Sequence, residues 1–510
     1  MHLSLIRCFS WLLLVNFACS GRVMRKLRDH VHRFQYQRAK EHLLTRAVSG
    51  NRLMSDVKEG VIHQRLDHFD SQVTETIPQR FFVNEEHWDR PDGPVFLYIG
   101  GEAAISMMDV VTGHHVDMAE EHGALLLALE HRFYGESINP DGLETEQLSY
   151  LSSQQALADL VAFHHYIRDH YELTHKNTWI SFGGSYPGAL SAWLRGKFPH
   201  LIYGAVASSA PVKAKLDFSG YNKVVGLSLM DEAVGGSEKC VNAVWEAFAA
   251  VEANLLGGNE TRLQKDFETC EPLDEEDQTE LVESLADIIM GTVQYNREGA
   301  PLSIEKLCTI LTNKSEEYEQ EEEAYDRLVK LVGVYQTAME EPCLQASHEQ
   351  NILDLNNTTV KRTGFGERQW YYQTCTEFGY YQTCEDASCP FSRMLTLQAQ
   401  TELCPLLFGV SQSSLPSSIA FTNQYYGGDH PRTHRVLYVN GDIDPWHELS
   451  VLRNGTTMAD KDRAIVISDT AHCADMSPAR FEDPPTLREA RREIAQHVAG
   501  WLKAAAWEHL

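Results

Sequence analysis

The stretch Thr178-Trp-Ile-Ser-Phe-Gly-Gly-Ser-Tyr-Pro-Gly188, continued by Ala189 to Phe198, decides how this chain folds. Residues 178–182 form a short run rich in β-formers and predict a buried strand. Residues 189–198 predict a short helix that halts before Pro199. Gly183, Gly184 and Gly188 surround Ser185 between the two. A strand that turns sharply into a helix holds the side chain at its apex out above the sheet, and small neighbours let the backbone fold tightly. Ser185 is therefore the candidate nucleophile. The strict Gly-x-Ser-x-Gly pattern is not met, because Pro187 stands where its last glycine belongs. Read alone, these letters also describe a plain glycine-rich turn.

Working outward, the same alternation continues on both sides. Pro94 to Gly100 and Ala124 to Glu130 are short apolar runs that predict buried strands. Ser152 to His170 has helical spacing, with Ser152 or Ser153 as its N-cap. Ile202 to Ala207 predicts a fourth strand. Such βαβ alternation indicates a mostly parallel sheet with helices on both faces. The pattern stops near Pro211, and the chain then turns helical, acidic and cysteine-bearing to about residue 400. Ser315 to Asp326 is a charge run that reads as a solvated helix face. Strands resume at Arg435 to Asn440 and Ala464 to Ser468, and an amphipathic helix from Leu487 to Leu502 closes the chain. The expected fold is an α/β-hydrolase: a core at 60–212 and 425–510, with a mainly helical cap inserted at 213–424.

A serine hydroxyl needs a base, and the base needs an orienting acid. In this fold the order along the chain is Ser, then Asp or Glu, then His, each after a strand. Asp442 and Asp444 follow the 435–440 strand, and His472 follows the 464–468 strand. A histidine in a short loop just beyond the last strand is a much stronger candidate than one of the chain's 23 taken at random. Either aspartate satisfies the spacing. The oxyanion is expected on the backbone N–H of Tyr186, with a second donor from the turn Gly100-Gly101-Glu102 after the 94–100 strand.

Composition narrows the function classes. The chain has 510 residues and a net charge of −28, so phosphate backbones would repel it and nucleic-acid binding is not expected. Arg7, the apolar run Phe9 to Ala18 and the small residues that follow predict a signal peptide over 1–20. No later stretch has the length of a membrane span. Residues 21–59 are basic and lack a strong core pattern, as in a disordered or surface-docked arm or a removed pro-segment. Cys8 and Cys19 leave with the signal. All but one of the remaining cysteines lie between 240 and 404, which reads as disulfides stapling one subregion. Cys473 is the outlier of an odd set, and the pairing does not follow from sequence. Sequons at Asn259, Asn313, Asn357 and Asn454 fit an oxidising secretory route. The expected destination is a lysosome or endosome, or the outside of the cell. Neither metal nor cofactor is expected. There is no Cys-x-x-Cys or His-Glu-x-x-His, and the pairs His114-His115 and His164-His165 lack a third ligand at matching spacing.

Several stretches together resemble the lysosomal Pro-Xaa carboxypeptidase and dipeptidyl peptidase II family. They are Gly183-Gly-Ser-Tyr-Pro-Gly188, Glu130-His-Arg-Phe-Tyr-Gly-Glu-Ser137, Leu66-Asp-His-Phe69, Ala207-Ser-Ser-Ala-Pro211 and Asp444-Pro-Trp446. The resemblance runs from about residue 60 to 503. It implies that the catalytic acid is Asp444, directly before Pro-Trp, and that His472 is the base. It implies that Trp446 lines a proline-side pocket and that the helical insertion caps the site in favour of short peptides. Relatives commonly carry two adjacent histidines where this chain has His472-Cys473. The function so implied is a serine peptidase, an exopeptidase cleaving after proline and acting on peptide substrates; a homodimer is one option for its assembly, which the sequence does not fix. An esterase or lipase on the same fold, or an inactive hydrolase-like binding protein, are the alternatives. An optimum at mildly acidic pH would require the pKa of His472 to lie below about 6.5.

Overall fold

Eight strands in the order β1-β2-β4-β3-β5-β6-β9-β10 form the central sheet of the protein. The structure is a computed structural model, and it describes residues 22–48, 57–312, 323–453 and 462–508. The strands of the first half are β1 (Val57–Arg65), β2 (Thr76–Asn84), β3 (Val95–Ile99), β4 (Leu125–Leu129), β5 (Trp179–Gly184) and β6 (Gly204–Ser208). After β6 come a short pair, β7 (Lys215–Asp217) and β8 (Gly379–Tyr381), and then β9 (Val436–Gly441) and β10 (Arg463–Ile467). The two edge pairings made by β2 are antiparallel and the other five in the main sheet are parallel. This is the α/β-hydrolase fold, as expected.

Each expected strand is present within two residues at its ends. Their alternation sorts the core into two layers. Val95, Leu97, Ile99, Leu125, Leu127 and Leu129 face one side with the helices Ser153–His170 and Tyr186–Lys197. Phe96, Leu126, Ala128, Ile180 and Phe182 face the other, against Ile494 and Val498 of the closing helix Pro485–Glu508. Sequence reading missed β1 and β2. β1 is mostly exposed and polar, and Pro78 sits inside β2, where it argues against a strand. Both form because β2 pairs on its other edge with the fully buried β4.

Chain order reverses at β3, whose neighbours are β4 on one side and β5 on the other. In open parallel sheets a crevice opens at the carboxyl ends of strands at such a switch point. The turn Gly100-Gly101-Glu102 follows β3 there, and Ser185 follows β5.

Between β6 and β9 the described residues form helices and the β7–β8 pair. Four disulfides tie this region: Cys240–Cys308, Cys270–Cys343, Cys375–Cys404 and Cys384–Cys389. Cys473 is free, so the odd cysteine is the outlier. The basic segment expected as a surface arm holds a 27-residue helix, α1 (Arg22–Val48), that buries Val23, Met24, Leu27, Val31 and Leu43. The boundary placed at residue 59 also falls inside β1. The expected signal peptide lies outside the described residues, as does most of the 315–326 charge run. Asn259 and Asn357 are exposed, while Asn313 and Asn454 fall outside the described residues.

The turn after β4 is held by a buried ion pair. Arg132 bonds both carboxylate oxygens of Asp159, at 2.6 and 2.7 Å, and donates to the carbonyls of Arg65, Leu66 and Tyr150. His68 donates to the same carboxylate at 2.8 Å. Burial alone would raise the Asp159 pKa, but the Arg132 guanidinium and His68 hold it below the usual value. Asp159→Ala strands the guanidinium in a dry interior. It is expected to lower stability by about 3–5 kcal/mol, read as a drop in the urea midpoint.

Candidate active site

Ser185 occupies the turn between β5 and the Tyr186–Lys197 helix with φ 63° and ψ −133°. Positive φ costs a non-glycine residue energy, so the surroundings must enforce it. They do so by close contact. The Ser185 N–H donates to the Ser208 carbonyl at the end of β6 (2.9 Å), and the Ser185 carbonyl accepts from Ala189 N–H (3.1 Å). A side chain on Gly183 would lie 2.2 Å from the Pro187 carbonyl oxygen, and one on Gly188 would lie 2.7 Å from the Ser208 carbonyl oxygen. The departure at Pro187 is absorbed locally. A proline in the first helical turn gives up an N–H that the helix leaves unpaired. Its ring packs on Gly101, where a Cβ would come within 2.3 Å of it.

Asp444 and His472 follow β9 and β10, and they meet. His472 Nδ1–H donates to Asp444 Oδ2 at 2.9 Å. Asp444 is fully buried, and its other oxygen accepts from Trp446 N–H at 3.0 Å. Asp442 points elsewhere: it accepts from Asp469 N–H at 2.7 Å and so braces the loop leading to His472. Ser185 and His472 line one cavity of about 330 Å³, with Gly101, Glu102, Gln294, Tyr295 and Trp446. Tyr186 is the first residue of its helix, and its N–H is one of the four that an α-helix leaves without an internal partner. Burial pushes the Glu102 carboxyl above its usual pKa.

Burial disfavours a charged His472, but the Asp444 carboxylate and the Cys473 sulfur outweigh it, and the pKa lies well above the usual 6.5. This direction is opposite to the one that a mildly acidic optimum requires. Cys473 adopts a left-handed backbone, and its N–H donates to Ser209 Oγ at 2.9 Å. Ser208 and Ser209 thus bind the Ser185 turn and the His472 loop to one strand end. Ser208 Oγ also donates to the buried Asp475.

Three supports escaped the sequence reading. Gln294, the last residue of the helix Gln278–Gln294, accepts from Trp446 Nε1–H (3.0 Å) and Tyr221 OH (2.6 Å), and its carbonyl accepts from His472 N–H (3.0 Å). A polar residue ending an apolar helix was the only local signal. Tyr186 OH donates to His131 Nε2 at 2.9 Å and accepts from Gln373 at 3.1 Å. His131 lies in the stretch Glu130–Ser137 already singled out, and only folding brings Gln373 to it. Burial lowers the His131 pKa to about 4 and keeps this ring a neutral acceptor. The third support is α1, whose Arg28, His32, Gln35 and Tyr36 line the cavity. His114 and His115 are buried, and His115 Nε2–H donates to the Asp109 carbonyl at 2.7 Å.

Fold and geometry define a class: an α/β-hydrolase with a serine at its strand-to-helix turn and a His–Asp pair opening on the same cavity. The chain belongs to the family described as Serine carboxypeptidase S28, which matches residues 64–494. It is 42% identical over 491 residues to the thymus-specific serine protease of Homo sapiens, covering 95% of this chain and 93% of the relative. The Mus musculus protein of that name is 42% identical over 485 residues, covering 94% of each. The lysosomal Pro-X carboxypeptidase of Homo sapiens is 27% identical over 474 residues, covering 91% of this chain and 92% of the relative. The protein is a serine peptidase and so a hydrolase of peptides. Its disulfides and its relatives fit passage through the secretory pathway. No helix among the described residues is long and apolar enough to cross a membrane.

Proposed function

We propose that Ser185, His472 and Asp444 act as nucleophile, base and orienting acid of an exopeptidase that cleaves short peptides after proline. The observation that carries this reading is the 2.9 Å bond between His472 and Asp444, with His472 and Ser185 on one cavity. Ser185 Oγ attacks the scissile carbonyl while His472 Nε2 takes its proton. The Asp444 carboxylate keeps Nδ1 protonated and stabilises the imidazolium that forms. The oxyanion rests on Tyr186 N–H and a donor from the Gly101-Glu102 turn. Each such donor contributes about 3–4 kcal/mol in related chemistry. His472 then protonates the leaving amine, and water releases the acyl group by the same route in reverse.

Proline specificity is supported by Trp446, whose ring stands against Phe218, Tyr221 and Tyr380. The flat apolar face of the indole suits a pyrrolidine ring, since the one donor of Trp446, Nε1–H, is already paired with Gln294. It is also supported by the printed name of the Pro-X carboxypeptidase relative. That name and the four disulfides support a lysosomal or endosomal site of action, or secretion.

A panel of Xaa-Pro-Xaa peptides, matched Xaa-Ala-Xaa peptides and short acyl esters tests the reading. Turnover of the proline series is expected to exceed the alanine series by at least about tenfold, the discrimination available from one well-fitted apolar group. Turnover of esters alone would reverse it in favour of an esterase. Mass spectrometry of products from a mixed peptide library then identifies which end is cut.

A further inference from the structure

α1 runs from the cap to the core across the cleft. Val23, Met24, Leu27 and Val31 join the core cluster that contains the helix Gln278–Gln294, while Ala39 and Leu43 pack on Met108 and Val111 beyond β3. Between these two anchorages Arg28, His32, Gln35 and Tyr36 face the cavity that holds Ser185 and His472. The anchorage is electrostatically matched. Arg22 pairs with Asp354 (2.8 Å), Arg25 with Glu367 (3.1 Å) and Arg38 with Glu298 (3.4 Å), and Lys26 pairs with Glu341. Met24 N–H donates to Asp287 at 2.9 Å, and Phe365 N–H donates to Asp29 at 3.1 Å. A basic helix in a chain of net charge −28 has thus gathered its partners from several separate cap elements.

We propose that α1 is an internal inhibitor of this peptidase: docked, it occupies the approach to Ser185, and the active form is the one in which it has been displaced or removed. The proposal rests on Ser185 being the nucleophile. None of the α1 contacts above is made to Ser185, Asp444 or His472, so the helix can leave without dismantling that group. What it takes up is the space a peptide must cross, between the cap helix and the turn after β3.

One position separates docking from catalysis. Gly291 lies in the cap helix facing α1, and a Cβ there would sit 1.9 Å from Leu27 Cδ2 and 3.5 Å from Met24 Sδ. Gly291→Leu therefore blocks the seat of α1 while adding a better helix former. A triple variant of α1 itself, Arg22→Glu, Lys26→Glu and Arg38→Glu, reverses three of the ion pairs and leaves cap and core untouched.

The test uses the full chain in three forms: unchanged, Gly291→Leu and the triple variant. Three readouts are taken: the labelling rate by a fluorophosphonate, kcat/KM on a Xaa-Pro-Xaa peptide, and tryptic cutting after Arg33, a site that all three forms keep. If α1 is docked about nine-tenths of the time, displacing it raises labelling and kcat/KM about tenfold, and cutting within α1 accelerates with them. Exposed α1 with unchanged or reduced labelling would overturn the proposal. So would an α1 that stays protected in the Gly291→Leu chain, since the docked geometry has no room for that side chain. Should Gly291→Leu not fold, the triple variant decides by the same criteria. Faster labelling without peptide turnover supports the inhibitory role and counts against the peptide substrate. Absence of labelling in all three forms overturns the nucleophile, and the proposal with it.

Discussion

Ser185→Ala is expected to abolish peptide turnover, lowering kcat by about a millionfold, as loss of the nucleophile does in a Ser-His-Asp peptidase of another fold. The variant should remain folded. The Ser185 backbone bonds to Ser208 and Ala189 do not involve the hydroxyl, and alanine meets no greater strain at φ 63° than serine. The measurement is kcat on a proline peptide with fluorophosphonate labelling in parallel, and unchanged circular dichroism as the folding control. Labelling that persists at full rate in the alanine variant would remove Ser185 from its role. Absence of labelling in both chains would instead favour an inactive binding scaffold.

The second large effect separates two aspartates that lie two residues apart. Asp444→Asn is expected to lower kcat/KM by about 10⁴-fold, because an amide at that place favours the wrong imidazole tautomer. Asp442→Asn keeps an oxygen for the Asp469 N–H and is expected to cost less than about tenfold. The pH profile adds a second criterion. Asp444 raises the His472 pKa, so the proton is held to higher pH and the neutral base appears only above it. Activity of the unchanged chain should therefore fall on the acid side with an inflection above 6.5. In Asp444→Asn burial acts without the opposing carboxylate, and the residual activity should show its inflection shifted downward. An inflection that does not move between the two chains would dissociate Asp444 from His472. A profile flat from about pH 4 to 8 would contradict His472 as the base altogether.

Much of the fold was legible because its central strands are buried on both faces. Such strands carry unbroken apolar runs, as in Leu125–Leu129, and these announce themselves without any partner. An N-cap at Ser152 or Ser153 was equally readable, and it is the Ser152 side chain that accepts from Gln155 N–H. β1 was not legible, since what makes it a strand is the edge offered by β2, and that edge is remote information. The docking of α1 was not legible for a related reason. Its basic residues look like a solvated arm until the acidic cap residues that pair with them are brought alongside.

Local chemistry by itself determined that this chain is an α/β-hydrolase with Ser185 at the turn, since glycine spacing and buried strands act within a few residues. The order of the serine, the aspartates and His472 along the chain likewise followed from where strands end. Strand spacing left two aspartates open and the family resemblance implied Asp444, but the contact with His472 exists only in the tertiary structure, which alone decided how eight cysteines pair and how the absent glycine at 187 is answered by Gly101. It alone laid α1 across the cleft. Each of these is a contact between residues far apart in sequence, and the geometry that makes it exists only once the sheet and cap have closed around the site.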